Sequence, residues 1–249
     1  MAPQKPVLVF VPGAWFTPEY LQPVTTILEQ AGYVTDCVTL PCVGPEQANA
    51  TAPIPQSFDP DVAAVRRVVL KHLDAGDDVV VVAHSYGGVV SSEAVVGLDR
   101  HTRSASGAKS AVVHLVYVAA LVIDVGDRVW PTGQPPVPED YVVQGDLVSR
   151  APDPAMMSRY PPAQLDLLVR SLHSHAWKAF TSPITHAAWR VIPGTFVRAK
   201  GDPYVGFNPP QGHKFGEVVE VDGDHFPFVT ATEETAEAIK KAVESSIGS

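Results

Sequence analysis

The chain has 249 residues, 45% of them hydrophobic and 18% charged, with 18 basic against 27 acidic side chains and a formal net charge of −9. That length suits one large α/β domain, or such a domain with an insertion, and is ample for a buried core. The acidic balance and the lack of clustered Lys and Arg exclude nucleic acid and anionic membrane as partners, because phosphate binding needs concentrated positive charge.

The first apolar run, Val7-Leu-Val-Phe-Val11, is too short for a signal-peptide core or a bilayer span and reads instead as a buried parallel strand. The expectation is a cytoplasmic protein with no membrane association. Thr17 and Pro18 read as N-cap and first helical residue of a helix carrying Leu21, Val24 and Leu28 on its apolar face and ended by Gly32. Thr35 to Leu40 is a second short strand. Its Cys37, with Cys42, fits reduced thiols, although the sequence leaves a disulfide open. Residues 41–58 read as a surface loop. Asp59-Pro60 then opens a helix with Val62, Val65, Val69 and Leu73 inward. Val79 to Val82 is the most strand-like run, followed by a helix from about Tyr86 to Leu98 and the strand Val112 to Val118.

From Asp124 to about Arg190 the character changes. Prolines are dense and large residues scattered, including Trp130, Tyr141, Met156, Met157, Trp177, Phe180 and Trp189. The stretch reads as an inserted helical cap, approximately 124–190, within a single domain. Strands resume at Thr195 to Ala199 and Glu217 to Val221. A last helix starts near Thr230, with Thr230 and Glu233 as a capping box and Ala236, Ile239 and Val243 inward. Strands alternating with helices imply an α/β fold with a mostly parallel central sheet and helices on both faces.

One junction carries chemistry. In Val79-Val-Val-Val-Ala-His-Ser-Tyr-Gly-Gly88 a buried strand runs into Ser85 and a helix starts straight after it. Ala83 and Gly87 flank the serine two residues to each side, the pattern of the G-x-S-x-G nucleophile elbow with Ala in the first small position. A turn that tight has no room for side chains there. It raises the serine hydroxyl at the sheet edge and aims the amides of the helix N-terminus at developing negative charge. His84 adjoins the nucleophile, and on an elbow its side chain points away from Ser85. In such folds the base follows in a late strand-end loop. His225, in Gly-Asp-His-Phe-Pro before the last helix, fits that place, with Asp222 and Asp224 as turn residues. The amide of Tyr86, next after Ser85, is an oxyanion donor by the same rule.

The segments Val9-Phe-Val-Pro-Gly-Ala-Trp15, Ala83-His-Ser-Tyr-Gly-Gly88 and Val221-Asp-Gly-Asp-His-Phe-Pro-Phe228 resemble α/β-hydrolases, in particular the plant methylesterase and hydroxynitrile lyase group. The resemblance covers nearly the whole chain in motif order. It implies Asp202 as the triad acid, Ala14 as second oxyanion donor, and a chain that skips the first antiparallel strand pair of the full fold. Asp124, after the strand that follows the nucleophile helix, is the rival acid. Pro12 stands where that group usually has His. Trp15, Phe16 and Tyr86, beside the oxyanion donors, with Trp130, Trp177 and Phe226, are candidate pocket residues for a small hydrophobic ester or lactone.

These residues imply a serine carboxylic ester hydrolase needing no cofactor. The alternatives are a lyase, cyclase or transacylase on the same triad, or a small-molecule receptor on the scaffold. The hydroxynitrile lyases of the resembling group carry Lys after the catalytic His. Phe226 stands there in this chain, which removes the cation for departing cyanide. His173-Ser-His175 has the spacing of a strand-borne metal pair, but the segment reads as helical with no third ligand at metal-site spacing, so no metal is expected.

Overall fold

The computed structural model describes residues 4–45, 52–130, 141–150, 160–203 and 215–247. Five strands form where apolar residues dominate: β1 (Val7–Val11), β3 (Val79–His84), β4 (Val112–Val118), β8 (Gly194–Ala199) and β9 (Glu217–Val221). With β2 (Thr35–Cys37) they make a six-stranded sheet in the order β2-β1-β3-β4-β8-β9, every pair parallel.

Both faces of the sheet are covered, so alternate residues of one strand serve two cores. Val7, Val9, Val11, Val79, Val81 and Ala83 face α2 (Asp59–Ala75) and α3 (Gly87–Ala94). Leu8, Phe10, Val80 and Val82 face α1 (Gln22–Gln30) and α7 (Thr232–Ile247). This double burial is why β1 and β3 read as unbroken apolar runs, whereas the edge strand β9 alternates between exposed and half-buried residues.

Several local expectations are corrected. β2 ends at Cys37, not Leu40, although Val38 and Leu40 remain buried. Pro18 opens a 3-10 turn, Pro18–Leu21, and α1 starts only at Gln22. Thr17 does not cap it, because its amide and hydroxyl both donate to the Ser171 carbonyl, at 2.9 and 3.4 Å. The N-cap position of α2 is Phe58, not Asp59. The helix after β3 stops at Ala94, and a separate short helix, α4 (Arg100–Ala105), follows it. Near the C-terminus α6 (Pro227–Thr230) precedes α7, and Thr230 bonds back to Asp224 and Phe226 instead of forming a box with Glu233.

The stretch between β4 and β8, expected to be a helical cap, holds a three-stranded antiparallel sheet. β5 (Tyr141–Gln144) and β6 (Leu147–Arg150) form a hairpin, and β7 (His175–Ala176) pairs with β6. Gly145 and Asp146 close the hairpin in two residues, with Gly145 at φ +61°, a geometry that Gly-Asp supplies readily between two strands. Between β6 and β7 runs α5 (Pro162–Ser171). The expected helical reading of the His173–His175 segment is likewise replaced by β7. Met156 and Met157 lie outside the described residues. Among the described residues no helix is long and apolar enough to cross a membrane, and Cys37 and Cys42 are free thiols.

Candidate active site

The register aligns the C-terminal ends of the strands along one edge, with Val11 opposite Ala83, His84 opposite Val118, and Ala199 opposite Val221. The chain leaves β1 toward β2 on one side and returns as β3 on the other. The loops after β1 and β3 therefore diverge at a topological switch point, where open α/β sheets bind ligands. Ser85 stands in the β3 loop with φ +50°, a left-handed conformation rare for a residue with a side chain. Gly87 makes the turn possible. A Cβ there would lie 2.6 Å from the carbonyl oxygens of Val11 and Pro12, and one on Gly88 would strike the Leu121 carbonyl.

The β8–β9 ladder extends past its strands. Lys200 donates its amide to Val221 O at 3.0 Å, and Gly201 to Gly223 O at 2.8 Å. This ladder carries Asp202 beside His225. Asp202 Oδ2 lies 3.0 Å from His225 Nδ1, and His225 Nε2 lies 3.1 Å from Ser85 Oγ. The pair is sheltered, with side chains 9 and 10% exposed. Asp224 shapes the loop: its Oδ1 accepts the Phe226 amide at 2.9 Å, an Asx turn around His225. Asp222 bonds Lys200 at the surface. Asp124 is ion-paired to Arg190, whereas the Nδ1 of His225 faces Asp202.

The loop after β1 lies against the elbow. A Cβ on Gly13 would sit 3.1 Å from Ser85 Cβ and 2.9 Å from His84 Nδ1, so glycine is required there by close packing on the elbow. Ala14 and Tyr86 are both buried in the same core cluster. Trp15 has φ +66°, a costly conformation for a bulky residue that persists only when its surroundings over-determine it. Here the Trp15 carbonyl accepts the His173 amide at 2.7 Å, and its Nε1 donates to Val148 O at 3.2 Å.

The expected pocket residues divide into two groups and an outlier. Trp15 packs on Tyr141 and Phe180, with ring centroids 5.5 and 5.2 Å apart, and Trp130 packs on Phe180 at 4.3 Å. Tyr86 closes this cluster against Phe180 at 5.3 Å. Phe16 and Phe226 pack on each other at 4.9 Å, and Phe226 meets the His225 ring at 5.3 Å. Trp177 stands apart, its Nε1 donating to Gly145 O in the hairpin turn.

Three buried polar residues were not legible as parts of the site. Asp61 accepts the Cys42 amide at 2.8 Å and the Tyr86 hydroxyl at 2.9 Å, which fixes the Tyr86 side chain from behind. Burial pushes its carboxyl up to about 6. His175 lies within the aromatic cluster, 4.5 Å from Phe180 and 5.2 Å from Tyr86. Its Nδ1–H donates to Ala176 O at 3.1 Å and its Nε2 has no partner. Burial pushes its imidazole down to about 3. Tyr20 lies fully buried under the β1 loop. Only contacts between residues far apart in sequence reveal these three. Among the described residues no group of three or more His, Cys, Asp or Glu side chains comes together as a metal site.

Residues 8–238 match the model of a family described as the alpha/beta hydrolase family. The alpha/beta hydrolase nvfD of Aspergillus novofumigatus is 29% identical over 204 residues, 80% of this chain and 78% of that protein. Among solved structures, a pyrethroid hydrolase from Sphingobium faniae superposes with a TM-score of 0.65 at 18% identity, covering 96% of this chain and 97% of its own. Polyneuridine aldehyde esterase superposes with a TM-score of 0.71 at 15% identity, covering 96 and 99%. The parallel sheet, the elbow at its edge and a family match that takes in nearly the whole sequence agree, and the chain belongs to the alpha/beta hydrolase family.

Proposed function

We propose that this protein is a serine hydrolase that cleaves a carboxylic ester or lactone of a small hydrophobic molecule. The observation that carries the reading is the continuous line from Asp202 through His225 to Ser85, with spacings of 3.0 and 3.1 Å, ending on a serine held in a left-handed turn. In this reading His225 Nε2 takes the Ser85 proton as Oγ attacks the ester carbonyl. Asp202 accepts the Nδ1–H and steadies the imidazolium. The tetrahedral oxyanion is received by the amides of Ala14 and Tyr86. The intermediate collapses to an acyl-Ser85 ester as His225 returns the proton to the leaving alkoxide. Water, deprotonated by the same histidine, then releases the acid. None of these steps requires a cofactor.

The segment between β4 and β8 acts as a cap in this proposal. Trp15, Trp130, Tyr141 and Phe180 supply an apolar wall beside the elbow, which suits a hydrophobic acyl or alcohol group. Phe16 and Phe226 support His225 from the other side. The apolar Phe226, packed on Phe16, offers no cation for a departing cyanide, which weighs against the lyase alternative. One structural neighbour, polyneuridine aldehyde esterase, is named as an esterase, which agrees with an ester substrate.

The test is labelling of the pure protein with a fluorophosphonate, location of the adduct by mass spectrometry, and a panel of model esters and lactones. An adduct on Ser85 that is absent in Ser85→Ala, with turnover lost in parallel, is the expected result. A folded protein that neither labels at Ser85 nor turns over any panel member would overturn the reading in favour of a receptor on the same scaffold.

A further inference from the structure

His84 lies at the end of β3, one residue before Ser85, and is 1% exposed. Its side chain bonds away from Ser85, to two partners. Its Nε2 lies 2.7 Å from the backbone carbonyl of His225. A carbonyl can only accept, so Nε2 carries the hydrogen. Burial, with the neighbouring His225, holds the His84 imidazole far below its ordinary range, so the ring is neutral and Nδ1 is bare. Nδ1 therefore accepts from the Tyr20 hydroxyl at 2.7 Å. With its own hydrogen committed, the Tyr20 oxygen accepts the Gly13 amide at 2.9 Å.

Every donor and acceptor role is thus fixed. The line runs from the Gly13 amide to the Tyr20 hydroxyl, to His84 Nδ1, and from His84 Nε2–H to the His225 carbonyl. It joins residues 7, 64 and 141 positions apart. At one end is the residue before Ala14, and at the other the backbone of His225 itself. The side chains are packed on every side: Tyr20 meets Phe16 and Phe228 at 5.5 and 6.1 Å, and His84 meets Phe226 and Phe228 at 5.6 and 5.4 Å. Hydrogen bonds in a buried line polarise one another, and breaking one leaves a buried polar group without a partner.

We propose that Tyr20 and His84 are positioning residues, a buried relay that sets the spacing between the oxyanion loop and the His225 loop around Ser85. The inference rests on the hydrolase reading above for its catalytic consequence, but the relay itself is a statement about bonding. The His225 side chain must reach Ser85 on one side and Asp202 on the other. Its backbone carbonyl is the point by which the relay anchors it to the β1 loop. A displacement of about 1 Å at either end separates the base from the hydroxyl or the oxyanion from its donors, and misplacement on that scale costs up to about 100-fold in turnover.

The test uses Tyr20→Phe, which keeps the ring and removes one oxygen, with His84→Gln and the double variant. With active protein counted and temperature held well below each melting point, Tyr20→Phe is expected to lower kcat about 10- to 100-fold with KM changed little. His84→Gln is expected to retain more activity than His84→Leu, because its amide can still donate to the His225 carbonyl. The double variant should lose no more than the worse single one, since the residues act as a unit.

Nitrogen-15 NMR of the histidine rings is read alongside, independently of turnover. His84 should be a neutral ring with hydrogen on Nε2 throughout pH 5–8, and Tyr20→Phe should shift its Nδ1 resonance. A His84 with hydrogen on Nδ1, or one that titrates in that range, overturns the relay whatever the enzyme does. Wild-type kcat in all variants, with only the melting point lowered, overturns positioning and leaves packing. An intact relay in a wild-type protein whose Ser85 neither labels nor turns over substrate overturns the hydrolase reading, and with it the catalytic role assigned to Tyr20 and His84.

Discussion

At the scale of single residues the line of Asp202, His225 and Ser85 makes a sharp demand on tautomer. His225 Nε2 can accept the Ser85 proton only if Nδ1 carries the ring hydrogen. The Asp202 carboxylate, 3.0 Å from Nδ1, selects that tautomer because it can only accept. Asp202→Asn keeps the shape but can present an amide hydrogen to Nδ1, which favours the tautomer with hydrogen on Nε2, useless as a base. Turnover should fall by about 10³- to 10⁴-fold, with the melting point close to wild type and Ser85 labelling slowed in proportion. The check is single-turnover kinetics on a labelling-competent preparation. Near wild-type rates would move the acid role to Asp124, against its placement on Arg190.

At the scale of elements, what could be read from the sequence followed the range of the interaction involved. β1, β3 and β4 were legible because a strand buried on both faces is an apolar run, a signal contained in five to seven neighbouring residues, and β8 and the half-exposed edge strand β9 were legible from shorter clusters of Val and Phe. The elbow was legible because its residue pattern spans only Ala83 to Gly88, although the atoms that forbid a side chain at Gly87 belong to the distant backbone of Val11 and Pro12. The β5–β6 hairpin carried a local signal, Gly145-Asp146 between Val142-Val143 and Leu147-Val148, but dense prolines on either side mask it. Thr17 and Thr230 had the chemistry of caps, but the distant Ser171 carbonyl took the first hydroxyl and the neighbouring Asp224 and Phe226 took the second. Tyr20 and His84 had no signal, because a bond across 64 positions leaves no pattern in a window. The elbow gives its own prediction. In Gly87→Ala the new methyl meets two backbone carbonyls, of Val11 and Pro12, at 2.6 Å. Neither can swing aside as a side chain could, so α3 must move off β1 and take the Tyr86 amide with it. We expect a loss of about 1–3 kcal/mol in stability, measured by denaturant unfolding, together with slower Ser85 labelling. An unchanged melting curve with unchanged labelling would mean that the elbow has slack that the packing does not reveal.

For the molecule as a whole, buried ionisable groups make stability depend on pH in opposing senses. His84, His114 and His175 are all held neutral by burial, His114 down to about 4 and His175 to about 3. Below pH 6.5 the unfolded chain protonates them and the folded chain does not, so stability is fully present above that pH and falls as pH drops. Each contributes a slope of up to about 1.4 kcal/mol per pH unit. Asp61 acts the other way. Unfolded, it ionises above its ordinary 3.8; folded, it keeps its proton up to about 6. Stability therefore falls as pH rises between those values, by roughly 3 kcal/mol in total. Three histidines outweigh one carboxyl, and the net expectation is a protein that loses stability steeply as pH falls from 6 toward 4. Asp61→Asn removes the opposing contribution. Its Oδ1 can still accept the Cys42 amide, and the Tyr86 hydroxyl can turn to accept from Nδ2. The variant should consequently show a steeper climb in melting temperature from pH 4 to 6, and its stability relative to wild type should be greater at pH 7 than at pH 4. Melting curves of both proteins across that range decide it. Parallel curves would mean that Asp61 is already ionised at pH 4 in the folded protein, and that the Cys42 amide and Tyr86 hydroxyl suffice to hold a carboxylate behind the turn at Ser85.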